Sequence, residues 1–418
     1  MTGGGPVTKA RTVVGLDIGT TKVCAVVGEI DEDGETHIVG VGTAVSRGVR
    51  KGVVVDLDST THAIEEAVER AERMSGTKIL SALVAASGEH ISSQNTRGVV
   101  AVARGDREIG DADVARVIEA ARVTALPAQD REIIHLLPRD FIIDGQDGVK
   151  NPVGMYGSRL EVEAHIVTGT STLLANLVKC VQRAGLEVEE LVLEPLASSE
   201  AVLTPTEKDL GVVLADIGGG TSSVGIFLGG GLCHTAVLPV GGNHLTNDIA
   251  VGLRTPMAEA EKLKIRHGAA MSSMAAEGEL IEVVNVGDAK PRILPRRILC
   301  EIIEPRLVEI FDLIKGQIKR SGYGAFLAGG IVLTGGTALL EGISELASRE
   351  LDMPARVGVP ENVIGLIDAI NSPVYATGVG LVLYGARSHR IKRVSRAATR
   401  GSVWMRLRNW LREFFQVG

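Results

Sequence analysis

Apolar residues near the start of the chain fall into short segments separated by polar turns. Strands are predicted at Val13–Ile18, Val23–Ile30 and His37–Val45. After them, apolar positions recur every three or four residues from Ile64 to Met74, and Gly76 follows. This spacing predicts a helix, with the Asp58–Thr60 segment as its N-terminal cap.

The pattern changes between residues 86 and 166, which we predict to be an inserted α+β subdomain. Strands are expected there around Val99–Val102, Ile133–Leu137 and Leu160–Ile166, with a helix capped by Asp111 and running through Arg122. Three further elements are expected next: a helix at Thr170–Gln182, a strand at Val188–Leu193 and a helix after Pro195.

One sequence pattern occurs twice. Residues 13–19 read VVGLDIG and residues 212–218 read VVLADIG, with five of seven positions identical at an offset of 199. Each copy is an apolar strand that ends in aspartate, followed by a turn rich in Gly and Thr. Such a duplication indicates a fold built from two similar halves. A third glycine turn, Thr334–Thr337, follows a predicted strand at Ile331–Leu333 and is expected to open a helix at Ala338–Glu350.

The paired turns suggest a polyphosphate site. Glycine lets backbone N–H groups approach an anion closely, and Thr and Lys side chains add donors. Asp17 and Asp216, which begin the two turns, would hold a hydrated Mg²⁺, since this ion favours few carboxylates and several waters. A strand followed by a tight turn is the simpler interpretation of each copy, but the repeat and the third glycine turn favour a nucleotide. The chain has no Walker motif and no GxGxxG that opens a helix.

Composition places the chain among ordinary globular proteins. Of its 418 residues, 45% are hydrophobic and 23% are charged, which excludes disorder and predicts more than one domain. Its four cysteines lie at least 53 residues apart, which suits a reducing compartment and offers no CxxC metal clip. Without a secretory signal or eighteen consecutive apolar residues, the protein is expected to be cytosolic and not to span a membrane.

The C-terminal end differs from the rest in charge and aromatic content. Residues 387–418 contain nine basic residues and one acid, a net charge of +8, so residues 1–386 carry −15 of a total of −7. We predict a basic linker at 387–402 and an amphipathic helix at 403–418. Its apolar face would consist of Trp404, Leu407, Trp410, Leu411, Phe414 and Phe415, and its basic residues would be Arg406, Arg408 and Arg412.

This helix is typical of segments that lie in the interface of an anionic membrane. A helix docked on the protein's own core is the alternative. Nucleic-acid binding would use the arginines but would not explain a one-sided strip of Trp and Phe. We therefore expect anionic lipids, and no nucleic acid, as the partner of this segment.

The two DIG turns and the TGG turn resemble the phosphate and adenosine motifs of the actin/Hsp70/sugar-kinase superfamily. Within it, the chain resembles the FtsA family of bacterial cell-division proteins over nearly its whole length. The supporting stretches are LDIGTTKVCAVVGE at 16–29, NPVGMYGSRLEVEAHIVT at 151–168, LADIGGGTSSVGIF at 214–227 and the C-terminal helix. The resemblance implies an α/β, actin-like, two-lobed ATPase fold with duplicated ribonuclease-H-like halves. Its lobes would be 1–85 with 167–195, and 196–386 with a smaller subdomain at 231–305.

The resemblance also implies residue roles. The first phosphate turn would be formed by Asp17, Gly19, Thr20, Thr21 and Lys22, and the second by Asp216, Gly218, Gly219, Gly220 and Thr221, with Gly242 and Asn243 beside the phosphates. The adenosine would contact Gly335, Gly336, Glu261 and Lys264. Glu194 would orient the attacking water, although the helix dipole also favours a glutamate at a helix N-terminus.

By the same resemblance, the protein would bind ATP and Mg²⁺ and polymerise on the cytoplasmic face of the cell membrane. It would anchor the FtsZ ring at the septum through the FtsZ C-terminal peptide and recruit later division proteins, with at most slow ATP hydrolysis. A pilus-assembly relative, or an ATP-cycling chaperone or kinase, is the alternative. A cationic stretch is hypothesised to contact FtsZ, with an ordinary solvated face equally open: Lys290, Arg292, Arg296 and Arg297.

Overall fold

Two lobes, each built around a β-sheet, and a third sheet inserted into the first lobe make up the molecule. The computed structural model describes residues 11–102, 107–125, 129–285 and 291–396. The predicted membrane helix at 403–418 and Lys290 lie outside the described residues.

The first lobe starts with three strands, as predicted. Its elements before the insert are β1 (Arg11–Ile18), β2 (Lys22–Ile30), β3 (Thr36–Val45), β4 (Val49–Arg50), β5 (Val53–Val54), α1 (Leu57–Ser75) and β6 (Ser81–Ala86). The predicted cap of α1 at Asp58–Thr60 is wrong. Asp56 is the cap, because its backbone is extended and its side chain accepts hydrogen bonds from the N–H groups of Asp58 and Ser59. Gly76 ends the helix in the left-handed conformation.

The insert is an antiparallel sheet with one helix. Its elements are β7 (Ser92–Ala101), α2 (Asp111–Thr124), β8 (Arg131–Ile143), β9 (Gln146–Val149) and β10 (Arg159–Thr170), with strand order β7-β10-β8-β9. Val117, Phe141 and Leu160 are fully buried in a core of its own. The N-cap of α2 is Gly110 and not Asp111, which is the first helical residue, where its charge favours the helix dipole.

The chain then completes the first lobe and forms the second. The elements are α3 (Ser171–Arg183), β11 (Glu187–Leu193), α4 (Glu194–Val202), α5 (Pro205–Leu210), β12 (Val212–Ile217), β13 (Ser222–Leu228), β14 (Gly231–Leu238), α6 (Gly242–Leu253), α7 (Met257–His267), β15 (Leu280–Val283), β16 (Arg292–Pro295), α8 (Arg296–Ser321), β17 (Ile331–Thr334), α9 (Ile343–Leu351), β18 (Ala355–Val357), β19 (Ile364–Gly365), α10 (Ile367–Ile370) and α11 (Ala376–Arg396). Short 3₁₀ turns occupy Ser272–Met274, Gly324–Phe326, Gly336–Leu339 and Pro373–Tyr375.

One prediction for this half is wrong. A single helix was expected at Ala338–Glu350, but a 3₁₀ turn ends at Leu339 and α9 begins at Ile343, because Gly342 between them is left-handed (φ 76°). The first part of the predicted basic linker at 387–402 is helical, since α11 continues through Arg396, and the rest of the linker lies outside the described residues.

The main sheets of the two lobes share one topology. Their strand orders are β11-β6-β1-β2-β3-β19 and β14-β13-β12-β17-β18. In each lobe the strand that carries the DIG sequence is antiparallel to the strand after it and parallel to its other neighbour. The sequence repeat is therefore also a repeat of topology.

Helices α4 and α11 cross between the two sheets. Gly380 of α11 lies against the backbone of Ala197 in α4 so closely that a Cβ would overlap it. The buried cluster around this crossing contains Val26 of the first sheet and Leu214 of the second. The two lobes are thus joined through a shared hydrophobic core, and the cleft between them lies beside it.

Candidate functional site

The two DIG sequences form matching hairpins. Strand register and the hydrogen bond that closes the turn both repeat at the offset of 199 residues. The matched features are the strand pairs Asp17–Cys24 and Asp216–Ser223, and the 2.9 Å bonds from Gly19 N–H to the Lys22 carbonyl and from Gly218 N–H to the Thr221 carbonyl. The duplication is preserved down to single hydrogen bonds.

The tips of the hairpins meet. A Cβ on Gly219 would lie 2.9 Å from Thr21 Oγ1, and a Cβ on Gly220 would lie 2.6 Å from Thr20 Oγ1. Both distances are too short for a real side chain. Glycine at these two positions is what allows the lobes to approach each other here.

A cleft of about 400 Å³ opens between the hairpins, a size typical of small-molecule sites. Of the predicted residues, those that line it are Asp17, Gly19, Thr20, Thr21, Lys22, Glu194, Asp216, Gly218, Gly219, Thr221, Gly242, Asn243, Glu261, Lys264, Gly335 and Gly336. Gly220 is not among the lining residues and contacts Thr20 instead. The structure therefore brings together residues that are up to 319 positions apart in sequence.

Asp216 lies at the floor of the cleft and is 5% exposed. Its Oδ2 atom accepts hydrogen bonds from Ser198 Oγ at 3.1 Å and Thr377 Oγ1 at 3.2 Å. Burial, followed by the nearby Asp17 charge, raises the pKa of Asp216 to about 6. The two hydroxyl residues, on α4 and α11, were missed by sequence reasoning because each lies inside a helix with no motif around it.

Two further carboxylates face the same space. Glu194 accepts a hydrogen bond from Ser223 Oγ at 2.8 Å, and burial, then the charges of Asp216 and Asp17, raise its pKa to about 8. Burial also raises the pKa of Asp17, although Lys22 opposes this shift. These three carboxylates repel one another, and carboxylate oxygens are the ligands that a divalent cation such as Mg²⁺ prefers. Among the described residues, however, the three do not bring their ligand atoms within 4.8 Å of one another, so such an ion would be held partly through water.

Lys22 connects the first hairpin to the turn before α11. Its Nζ atom lies 3.9 Å from Asp17 Oδ2 and donates a 2.5 Å hydrogen bond to the Val374 carbonyl. It also lies 5.0 Å from the centre of the Tyr375 ring. This lysine supplies positive charge at the point where the first hairpin meets the cleft.

Helix α6 begins directly against the second hairpin. The N–H of Gly242 donates to the Gly218 carbonyl at 2.9 Å, and the N–H of Asn243 donates to the Gly219 carbonyl at 2.7 Å. Thr337 Oγ1 adds a 3.2 Å bond to the Gly218 carbonyl. The N-terminus of α6 therefore lines the cleft, where the positive end of the helix dipole favours an anion.

The third glycine turn closes on Asp216. Gly335 is left-handed (φ 84°), and a Cβ there would overlap the Asp216 carboxylate and lie 2.7 Å from the Ile217 carbonyl. Gly336 has no atom within 4 Å of its Cβ position, so it faces open space. Gly335 is thus required by its close packing against Asp216, whereas Gly336 leaves the surface of the cleft open.

Glu261 and Lys264 lie on one face of α7 and form a 2.7 Å ion pair. Lys264 Nζ also donates to Thr246 Oγ1 at 2.8 Å and to the Gly242 carbonyl at 3.1 Å, which ties α7 to α6. Ile265 and Leu339 line the same end of the cleft and are largely exposed. Sequence reasoning missed both, because single apolar residues outside a motif carry no distinguishing pattern.

Two arginines of the hypothesised cationic surface are already paired with carboxylates, and Arg292 donates to the Leu253 carbonyl. Arg296 lies 3.0 Å from Glu279 and 2.6 Å from Glu341, and Arg297 lies 2.9 Å from Glu301. These two arginines do not form a free cationic patch. No helix in the described part of the chain combines the length and the apolarity that a membrane crossing requires.

Comparison with known proteins decides the family. The model of the family "Cell division protein FtsA" matches residues 213–380, and the model of the SHS2 domain inserted in FtsA matches residues 88–168. The cell division protein FtsA of Pseudomonas aeruginosa is 49% identical over 91% of this chain and 90% of its own length. That of Escherichia coli is 42% identical over 98% of this chain and 99% of its own. The chain belongs to the FtsA family.

Solved structures show the fold of this FtsA-family chain. A PilM–PilN type IV pilus biogenesis complex has a TM-score of 0.66 at 17% identity, covering 90% of this chain and 99% of the matched one. MreB5 of Spiroplasma citri bound to AMPPNP has a TM-score of 0.57 at 15% identity, covering 94% and 100%. The predicted α/β actin-like fold with an inserted α+β subdomain is confirmed, and so is the prediction of a cell-division protein.

Proposed function

We propose that this protein binds ATP with Mg²⁺ in the cleft and polymerises at the division site. There it anchors the FtsZ ring to the cytoplasmic face of the membrane and recruits later division proteins. The observation that carries the proposal is the pair of matched hairpins, whose glycine tips meet beside one cleft of about 400 Å³. Membership in the FtsA family and the fold it shares with an AMPPNP-bound MreB5 support it.

Asp17 and Asp216 would hold Mg²⁺ through water, and the backbone N–H groups of both hairpins would receive the phosphates. The ion would neutralise charge that develops on the phosphate oxygens. Glu194, which lines the cleft, would orient the attacking water. Because positioning and charge are all that the site supplies, hydrolysis is expected to be slow.

The C-terminal segment would attach the protein to the membrane. Each basic residue near an anionic leaflet contributes about 1 kcal/mol, and apolar side chains add to this, so one copy would bind reversibly. A filament would bind through many such segments at once, and the attachment would become firm. Self-assembly and membrane residence are therefore proposed to be coupled.

Calorimetry with full-length protein, Mg²⁺ and ATP tests the nucleotide site, and GTP is the matched ligand. We expect saturable heat with ATP, and its absence would remove the proposal.

Sedimentation with anionic vesicles tests the attachment to the membrane, comparing the full chain with a chain that ends at residue 402. The shorter chain should stay in the supernatant; if it still sediments with vesicles, residues 403–418 are not the anchor. Electron microscopy on anionic lipid, with and without ATP, tests filament formation.

A further inference from the structure

The inserted subdomain contacts the end of strand β11, directly before the cleft residue Glu194. In the described part of the chain, this strand is the edge of the six-stranded sheet and pairs with β6 alone. Its last residue, Leu193, is followed immediately by Glu194. An edge strand leaves backbone N–H groups that need a partner. The position of Glu194 therefore depends on which group accepts a hydrogen bond from the backbone N–H at the end of β11, on the side that does not face β6.

The partner of Leu193 is a histidine of the insert. The backbone N–H of Leu193 donates to Nε2 of His135 at 3.0 Å, and both residues are buried. His135 is in β8, where it pairs with Val167 of the neighbouring strand β10, so its backbone is fixed by the inserted sheet. The hydrogen bond thus links the rigid sheet of the insert to the residue next to Glu194.

The protonation state of His135 suits this bond. Burial lowers the pKa of His135 to about 4, so the ring is neutral near pH 7. Because Nε2 accepts the bond from Leu193, it carries the lone pair, and the hydrogen of the neutral ring is on Nδ1. A side chain of the same size without an acceptor would leave the Leu193 N–H buried and unpaired, which is costly.

Leu193 receives no support from a conventional helix cap. It is the N-cap residue of α4, but its side chain is apolar and makes no capping hydrogen bond. The strand-to-helix junction is therefore held by its backbone contacts and by burial. Glu194 follows this junction and extends to Ser223 of the second lobe.

We propose that His135 is a positioning residue, which fixes the β11–α4 junction through the Leu193 amide and so aims Glu194 into the cleft. This inference rests on the role proposed above for Glu194. It assigns to the inserted subdomain a direct part in the geometry of the nucleotide site.

His165 provides a matched control in the same sheet. It is also a buried histidine, on β10, and burial lowers its pKa to about 3. Its Nδ1 lies 2.7 Å from Asn95 Oδ1, within the insert, and its Nε2 has no partner among the described residues. Replacing His165 should disturb the insert to a comparable degree without touching the Leu193 amide.

The test compares His135→Leu, His135→Gln and His165→Leu in the full-length protein. Hydrogen exchange is measured without nucleotide in the peptide that spans residues 190–200. His135→Leu should accelerate exchange there by about tenfold, which corresponds to the loss of one buried hydrogen bond. His135→Gln can still offer a side-chain acceptor and should remain close to the wild type, and His165→Leu should not change this peptide.

ATP turnover gives a second measurement. His135→Leu should lower the maximal rate by about tenfold and leave the ATP concentration for half-maximal rate unchanged, and it should cause no further loss in a Glu194→Gln background. Equal acceleration of exchange by His135→Leu and His165→Leu, or none by His135→Leu, overturns the proposal. If calorimetry shows no ATP binding, the proposed function fails, while the exchange result still decides whether His135 holds the junction.

Discussion

The two phosphate hairpins have the same backbone and different surroundings. In the first lobe, Asp17 has a lysine 3.9 Å away at the end of its own turn. In the second lobe, the equivalent position is Thr221, and Asp216 is met by two hydroxyl groups and a closely packed glycine. The first hairpin brings positive charge to the cleft, and the second brings close packing and buried carboxylate.

This difference suggests that the two halves of a duplicated fold divide the work. A backbone that presents N–H groups to an anion is useful in both copies and has been retained in both. A positive charge on each side would leave the site with fewer uncompensated carboxylates to attract a divalent cation. The asymmetry thus suits a ligand that combines a polyphosphate with a metal ion.

The largest expected effect concerns packing at the second hairpin. Gly335→Ala introduces a Cβ at a left-handed residue and into the Asp216 carboxylate, so we expect a loss of about 2 kcal/mol or more in the free energy of unfolding, together with the loss of ATP binding. Chemical denaturation and calorimetry measure these two quantities.

Gly336→Ala is the control for that substitution. Its Cβ would meet no atom of the described residues within 4 Å, so folding should be nearly unchanged. Equal destabilisation by the two alanines would show that the contact with Asp216 does not matter.

A smaller effect is expected from charge at the first hairpin. Lys22→Met removes the cation beside Asp17, and we expect ATP binding to weaken by about ten- to a hundredfold, as for the loss of one hydrogen bond to a charged group. Thr221→Val changes the matched position of the second hairpin and should weaken binding by less than about threefold. Calorimetry decides, and equal losses in the two variants would contradict the asymmetry.

A further expected effect is a pH dependence of stability that comes from Glu194, which lines the cleft between the hairpins. Because its pKa is raised to about 8 in the folded protein from 4.5, the folded state keeps a proton that the unfolded chain releases. Its contribution to stability is complete below pH 4.5 and declines as the pH rises towards 8. The nucleotide-free wild type should therefore lose stability over this range relative to Glu194→Gln.

Denaturation curves for the two proteins, taken from pH 5 to pH 8.5, measure that difference. Other groups also make stability depend on pH, so the comparison with Glu194→Gln is needed. The pKa values of His135 and His165 are lowered in the folded protein, and these two histidines therefore cost stability as the pH falls below 6.5, which is the opposite of the Glu194 effect. If the difference in the free energy of unfolding between the wild type and Glu194→Gln does not vary with pH, the pKa of Glu194 is not raised in the folded protein.

Local sequence patterns predicted the hairpins well, because strand, aspartate and glycine turn are all encoded within about ten residues. Sequence reasoning could not find Ser198 and Thr377, since their importance arises only when α4 and α11 converge on Asp216. The continuation of α11 was missed for a related reason. A basic composition resembles a linker, yet arginine and lysine are good helix formers and extend a helix that is already anchored.

Helix α11 is held against the body of the protein at several points along its length. Its 21 residues span about 32 Å. Thr377, in the first turn, bonds to Asp216, and further along Tyr384 and Arg387 are held by Glu190 and Glu200. A helix bonded at several points cannot rotate independently of the lobes, so the lobes set the direction of α11 up to Arg396. Every copy of the molecule therefore presents the described end of α11 in the same orientation relative to its two lobes.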